Sequence, residues 1–387
     1  MRIIHLVLGK ANPLRMNGVN QVAHYLAKTQ SAMGHEVLLW GITKSEKHDY
    51  PPRRYQTILF QPPKRPFALS EELAAAIDQL PLEAIVHIHG TFIPVFFRIA
   101  QRLKKRQIGY VHSSHGAFSP IAMQKNAWMK KLYFYCFERH NLLNAKAVHI
   151  FGKTAFTHLD QLLPKAPKFL LPNGQDFNKL PAVFPRTQQQ LVFGFCGRIK
   201  MQVKGLDLLM EGFHQYLLEG GTGQLRIIGD GQDMSALQKL VQDLGIQDEV
   251  LFYGAKYGDE KYELLADMDV FVHPSRTEGF PLSVVEATSM GLVCLVSEAT
   301  NTADYIRHYN AGIALEKNEA THIAKAMQTL EQAFKVNRLE DQRDNALRLS
   351  RAEFDWEVIA EKLIRVYEKG PSAIESPLNP TVVNELA

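Results

Sequence analysis

The sequence predicts an α/β protein built from two consecutive doubly wound halves. Three observations carry that prediction. Short apolar runs that end in Gly or Ser recur along the chain, as buried parallel strands do. Segments with helical spacing separate them, so the order reads strand, helix, strand. The alternation lapses around 177–190, in FNKLPAVFPRTQQQ, and then restarts, which marks a linker.

The first half opens with the strand RIIHLVLG (2–9). Val19, Val22, Ala23, Leu26 and Ala27 then fall on one helical face, Gly34 ends that helix, and EVLLWG is the next strand. AIVHIHG (84–90) and GYVHSSHG (109–116) are further strands around a basic helix at RIAQRLKKR, and AVHIFG (147–152) and FLLPNGQD (169–176) continue the pattern. The second half reads LVFGFCG (191–197), a helix from about Leu206, QLRIIGDG (224–231), MSALQKLVQDLG, VLFYG (250–254), DVFVHPS (269–275), a helix, and LVCLVS (292–297). A last helix starts after Asp355, carries Trp356, Ile359, Ala360, Leu363 and Tyr367 as one apolar stripe, and ends at Gly370-Pro371. The expected division is 1–180, 181–354, a helix 355–370 and a tail 371–387.

Composition narrows the function. The 387 residues are 46% hydrophobic, enough for a large core, and no run reaches the ~20 apolar residues of a membrane span. Only six apolar residues precede Gly9 and Lys10, too few for a signal peptide, so a cytoplasmic setting is expected. Cys136, Cys196 and Cys294 read as buried thiols in a reducing compartment. Residues 1–183 hold 24 basic and 10 acidic side chains, and the remainder 20 and 30. A first half at +14 and a second at −10 imply either an anionic partner or mutual attraction. VFFRIAQRLKKR (95–106) and WMKKLYFY (128–135) mix aromatics with cations, which fits either a peripheral membrane contact or an apolar core under a solvated face.

The motifs exclude two nucleotide-binding classes. Gly9 and Gly18 stand too far apart for the glycine spacing of a dinucleotide fold, and the loop after Gly197 lacks the P-loop pattern. The long loop before Gly18 has the length of a binding loop. In FCGRIKMQVKGLDLL, Arg198 and Lys204 flank a loop entering a helix, where cations and free amides would favour an anion. In RTEGFPLSVVEATSMG, Pro281 suits a first helical turn, so Glu278 lies before the helix and Glu286 inside it. The pair could be a glycosidase acid and base, substrate-holding groups, or a loop residue and a solvated helix position. Asp267 and Asp269 resemble a metal pair but sit at a helix end and a strand start. His87 and His89 share a strand face with no third ligand evident nearby. His115 ends a strand at the carboxyl edge, where ligands of such sheets bind.

NGVNQVAHYLAKTQSAMGHEV, SSHGAF, LPNGQD, GRIKMQVKGLDLL, IIGDG, DVFVHPSRTEGFPLSVVEA and FDWEVIAEKLIRVYE, in this order, resemble the retaining glycosyltransferases of family 4. The resemblance implies a GT-B fold: two Rossmann-like domains facing across a cleft, with the C-terminal helix crossing back to the first. It implies a UDP- or GDP-linked sugar donor, a glycan or lipid-linked acceptor in bacterial surface-polysaccharide synthesis, no cofactor or metal, and no nucleic-acid partner. Carried over, Arg198 and Lys204 would grip the donor diphosphate, and Glu278 the hexose hydroxyls. Gly279, Phe280, Pro281 and Leu282 would line sugar and phosphate, Glu286 the ribose, and Tyr253 and Gly254 the base. His115 would lie by the donor sugar, and Asn17 and Gly18 by the acceptor and diphosphate. Asn17 replaces the usual first glycine of that pair, and Lys200 is a rival to Lys204 for phosphate. A soluble disaccharide or sugar-phosphate synthase and a non-catalytic binding protein are the alternatives.

Overall fold

A computed structural model describes residues 1–13, 18–124, 126–177, 180 and 190–374. Asn17, most of the expected linker and the tail beyond Ile374 lie outside the described residues. The chain divides into two compact units, Met1–Gly174 with Trp356–Ala387, and Gln175–Asp355. The first boundary therefore falls at Gly174, six residues before the expected one.

Among the described residues the first unit holds seven strands: β1 (Arg2–Leu8), β2 (Glu36–Ile42), β3 (Gln56–Phe60), β4 (Ile85–His89), β5 (Gly109–Ser113), β6 (Ala147–Ile150) and β7 (Lys168–Leu170). All neighbours are parallel, in the order 3-2-1-4-5-6-7. The second holds β8 (Val192–Cys196), β9 (Gln224–Ile228), β10 (Val250–Gly254), β11 (Val270–His273), β12 (Val293–Val296) and β13 (Gly312–Ala314), also parallel, in the order 10-9-8-11-12-13. Both contain the doubly wound order in which strand order reverses beside the first strand, and ligands bind at the carboxyl ends there. These reversals lie between β1 and β4 and between β8 and β11.

β3 and β13 escape the sequence reading. β3 is preceded by a proline-rich polar stretch, and β13 has only three residues, so neither shows a clear period. The last helix, Trp356–Lys369, packs against Gly18–Ala32 within the first unit, and Trp356 stacks on Tyr25 at 5.9 Å. A Cβ at Gly174 would stand 2.5 Å from the Trp356 ring, so the LPNGQD and FDWE segments meet only because residue 174 has no side chain.

Burial separates the two aromatic–basic segments. In the helix Pro94–Lys105, Phe96 is buried in the sheet-facing core and the cations face outward. In Ala127–Tyr133 no residue is fully buried, and Trp128, Met129, Leu132 and Tyr135 are 70%, 46%, 58% and 55% exposed. Cys196 and Cys294 are buried, but Cys136 is exposed, which corrects the expectation of three buried thiols. It lies in the π-helical turn Phe134–Glu138, which turns Phe134 and Glu138 inward and leaves Tyr135 and Cys136 outside.

Candidate functional site

The second unit builds a charged cluster at the β8–β11 reversal. β11 ends at His273, and the following loop carries Ser275, Arg276 and Glu278. One Glu278 oxygen, Oε1, receives Lys204 Nζ, His273 Nε2 at 3.1 Å and Ser275 Oγ at 3.0 Å. Burial alone would raise the Glu278 pKa, but the His273 hydrogen bond and the Lys204 charge outweigh it and hold the group at about 2. Glu278 is therefore an anion throughout the physiological range. Burial lowers the pKa of His273, whose ring stacks with those of Phe195 and Phe271.

Three local devices bring Lys204 to Glu278. Lys204 ends the short turn Met201–Lys204, and Gly205 (φ +65°) redirects the chain into the helix Leu206–Leu218. A Cβ at Gly205 would stand 2.0 Å from the Pro274 carbonyl oxygen. Arg276 grips Asp207 with two hydrogen bonds of 2.7 Å and donates to the Gln202 carbonyl at 2.9 Å. The bidentate fork fixes orientation as well as distance. Asn301 closes the loop by donating to the Glu278 and Gly279 carbonyls at 2.9 and 3.0 Å.

The structure alters the expected anion site after β8. Lys204 stands at the end of a four-residue turn, and the amide heading that turn, Met201 N–H, donates to Asp233 Oδ2 at 2.8 Å. The Met201 amide is therefore already paired. Arg198 is exposed, and neither it nor Lys200 makes an ion pair among the described residues. Pro281 is the cap before the helix Leu282–Ser289 rather than part of its first turn. Leu282 and Ser283 head that helix, where amides have no intrahelical acceptor. Phe280 is buried edge-on against Tyr305 and Phe354, so its ring anchors the loop from below.

Glu286 has a separate partner. Lys261 Nζ lies 2.7 Å from its Oε1, and both side chains are largely buried. Burial alone would lower the Lys261 pKa, but the Glu286 charge raises it above its ordinary value. Tyr253 and Gly254 end β10, and Gly254 takes φ +68° as its carbonyl accepts from Gly229 N–H at 2.8 Å. Asp269 accepts from the Val192 amide and from Arg343, and Asp267 faces Arg226, so this pair ties strands and helices together.

In the first unit, Gly18 opens its helix at the surface, and a Cβ there would meet no atom within 4 Å. His115 follows β5 with φ +46°, an uncommon conformation for a side-chain-bearing residue. Parallel register places His5 opposite His87, His89 opposite Ser113, and Ser113 opposite His149 on one sheet face. His5 is a third imidazole beside His87 and His89, which corrects the sequence reading: nitrogens of the three lie within 4.8 Å of one another. No local signal could reveal it, because β1 and β4 are joined only by a long crossover. His112 faces the opposite side, 3.3 Å from Glu138, with both groups buried.

The Glycosyl transferases group 1 family model matches residues 176–347, and the Glycosyltransferase Family 4 model matches 16–179. The chain belongs to the family 4 glycosyltransferases of the GT-B fold. It is 23% identical over 91% of its length to N-acetyl-alpha-D-glucosaminyl L-malate synthase of Bacillus anthracis, covering 93% of that protein. It is 24% identical to GDP-mannose:cellobiosyl-diphosphopolyprenol alpha-mannosyltransferase of Xanthomonas campestris, over 73% of each chain. Three further curated relatives are matched over 62%, 32% and 65% of their own length. Sucrose-phosphate synthase from Thermosynechococcus elongatus has the same fold at a TM-score of 0.72, with 18% identity over 97% of this chain and 100% of that one. In this glycosyltransferase Glu278 and Glu286, eight positions apart, therefore meet two different cations, Lys204 and Lys261.

Proposed function

We propose that this glycosyltransferase moves a hexose from a UDP- or GDP-linked donor to a hydroxyl of a glycan or lipid-linked acceptor, with retention of anomeric configuration and without a metal. The observation that carries the reading is the Glu278 cluster. A permanent carboxylate with one oxygen committed to Lys204, His273 and Ser275 leaves the other to accept from sugar hydroxyls. As the glycosidic bond breaks, negative charge grows on the departing diphosphate. Arg198 and Lys204 meet that charge, together with the amides of Leu282 and Ser283 at the helix start, the type of preplaced stabilisation that contributes most to many enzymes. Gly279, Phe280, Pro281 and Leu282 line sugar and phosphate. Glu286 exchanges Lys261 for ribose hydroxyls, and Tyr253 and Gly254 lie by the base. His115 and Gly18, from the first unit, serve sugar and acceptor. The Xanthomonas relative, named for a diphosphopolyprenol acceptor, supports a lipid-linked acceptor in surface-polysaccharide synthesis.

We also assign the exposed Trp128, Met129, Leu132 and Tyr135 face, with Lys131 beside it, to an anionic membrane surface. Aromatics at the interface and cations near lipid headgroups act together there. The contact proposed is a peripheral one; among the described residues no helix is long and apolar enough to cross a membrane. A panel of nucleotide sugars, scored by thermal shift and donor hydrolysis, tests the reading. Stabilisation and turnover by one UDP- or GDP-hexose supports it, stabilisation without turnover turns it into a binding protein, and no response to any member removes it.

A further inference from the structure

The first unit buries an unbroken hydrogen-bond chain whose direction follows from one backbone group. His149 Nε2 lies 2.9 Å from the Leu171 carbonyl oxygen, which can only accept, so that nitrogen carries a proton. Burial holds His149 at a pKa of about 4, so its Nδ1 is a bare acceptor at neutral pH. Ser113 Oγ, 2.9 Å away, must donate to it. Having spent its proton, Ser113 Oγ must accept from His87 Nε2 at 2.6 Å. Burial keeps His87 neutral, so its Nδ1 accepts from Tyr367 Oη, also at 2.6 Å.

Tyr367 Oη then accepts, and the group facing it is the Gln30 side-chain amide nitrogen at 3.4 Å. The choice between the two ends of the Gln30 amide is thereby settled by the chain itself. Gln30 Oε1 accepts from His5 Nε2 at 2.8 Å. His5, held at a pKa of about 4 by burial, offers Nδ1 to His89 Nε2 at 2.9 Å. His89, also kept neutral by burial, offers Nδ1 to His115 Nε2 at 3.2 Å. His115 is the end of the line. Its remaining nitrogen, Nδ1, makes no hydrogen bond among the described residues, and its ring is only partly buried against Phe151.

We propose that this protein presents His115 to its ligand as a fixed hydrogen-bond acceptor, through Nδ1, with Leu171, His149, Ser113, His87, Tyr367, Gln30, His5 and His89 as the positioning chain. The matching ligand group is a hydroxyl of a neutral sugar. A carboxylate or phosphate oxygen at that point would set two acceptors against each other. Identification of the ligand as a sugar rests on the transferase reading, whereas the polarity of His115 does not. The polarity also joins the last helix to the site, because Tyr367 and Gln30 together carry the hydrogen bonds that connect the two branches.

Histidine-selective 15N labelling and a long-range proton–nitrogen correlation spectrum at pH 7.5 test the chain in the full-length protein without ligand. His5, His87, His89, His115 and His149 are each expected neutral with the proton on Nε2. A proton on Nδ1 of any of them overturns the proposal. Tyr367→Phe cuts the chain between its branches. His87 and His149 should keep their single form, while His5, His89 and His115 become mixtures of both forms. A pure Nε2–H signal from His115 in that variant would show that its local surroundings set it, and would overturn the chain. Gln30→Met cuts one step further on, should give the same split pattern, and serves if Tyr367→Phe does not fold. For the ligand, UDP-glucose and GDP-mannose are compared with UDP-glucuronate by competition. Weaker binding of the uronate supports the acceptor role, and equal or tighter binding overturns it. Failure of every sugar nucleotide to bind counts against the transferase reading and leaves the spectra to judge the polarity.

Discussion

Lys204 donates to Glu278 Oε1, joining two residues 74 positions apart at the carboxyl edge of one sheet. The same oxygen takes His273 and Ser275, so the Lys204 ammonium, the Glu278 charge and the loop position are coupled. Replacing Lys204 or Arg198 with Ala should lower donor turnover by roughly 10²–10³, as loss of a preplaced charge-stabilising group does. Glu278→Ala should remove most turnover as well. Steady-state release of the nucleoside diphosphate checks all three, and a wild-type rate in any of them removes that residue from the site.

Gly205 sets the approach of Lys204. Gly205→Ala adds a Cβ 2.0 Å from the Pro274 carbonyl at φ +65°. Gly220→Ala is the control, since φ is +88° there and the space is open. Left-handed strain costs about 1–2 kcal/mol at either site, and only Gly205→Ala should also lose most turnover. Equal activity of the two variants would show that the Pro274 contact does not position Lys204.

Lys261→Met should destabilise the second unit by about 1–3 kcal/mol, because it strands a largely buried Glu286 carboxylate. Glu286→Gln, which still accepts from Lys261, should cost about 1 kcal/mol or less. Urea unfolding followed by circular dichroism separates these outcomes.

Acid should loosen the first unit more than the second, because five lowered histidines of one cluster lie in the first, whereas the Glu278 cluster holds one, His273. His5, His115 and His149 titrate at about 4, 3 and 4 when folded, and burial lowers His87 and His89 as well. Below their ordinary value near 6.5 the unfolded chain binds more protons than the folded one, so stability falls from pH 6.5 towards 4. The His112–Glu138 pair adds little in the upper part of that window. Burial puts Glu138 at about 8 and His112 at about 4, so the pair holds one proton both folded and unfolded between about 4.5 and 6.5. The depressed Glu278 contributes stability above about 4.5 that is lost only as pH falls towards 2. All three tryptophans, Trp40, Trp128 and Trp356, lie in the first unit, so their fluorescence isolates its transition. A urea midpoint by tryptophan fluorescence that does not fall between pH 6.5 and 4.5 would contradict this account.

Trp128→Ser and Leu132→Ser should each weaken flotation with phosphatidylserine vesicles at low salt without altering the fold. Ile121, 49% exposed on the neighbouring short helix Pro120–Gln124, should act in the same direction when replaced by Ser. Absence of wild-type flotation at low salt would remove the membrane contact.

Much of this protein was already written in local sequence. Short apolar runs and helical spacing place most strands and helices, because a parallel strand buries both faces and a helix one stripe, and both needs show at short range. Loops after strand ends draw attention to Arg198, Lys204, Glu278 and His115 for the same reason: a parallel sheet presents its carboxyl ends to ligands. Tertiary structure alone decided which partner each residue meets. Glu278 takes His273 and Lys204, Glu286 takes Lys261, Arg276 takes Asp207, and His5 joins His89 from 84 positions away. It also decided that Phe96 is core while Trp128 is exposed. Helical crossovers separate adjacent parallel strands by tens of residues, so register and burial, rather than any short motif, determine these contacts.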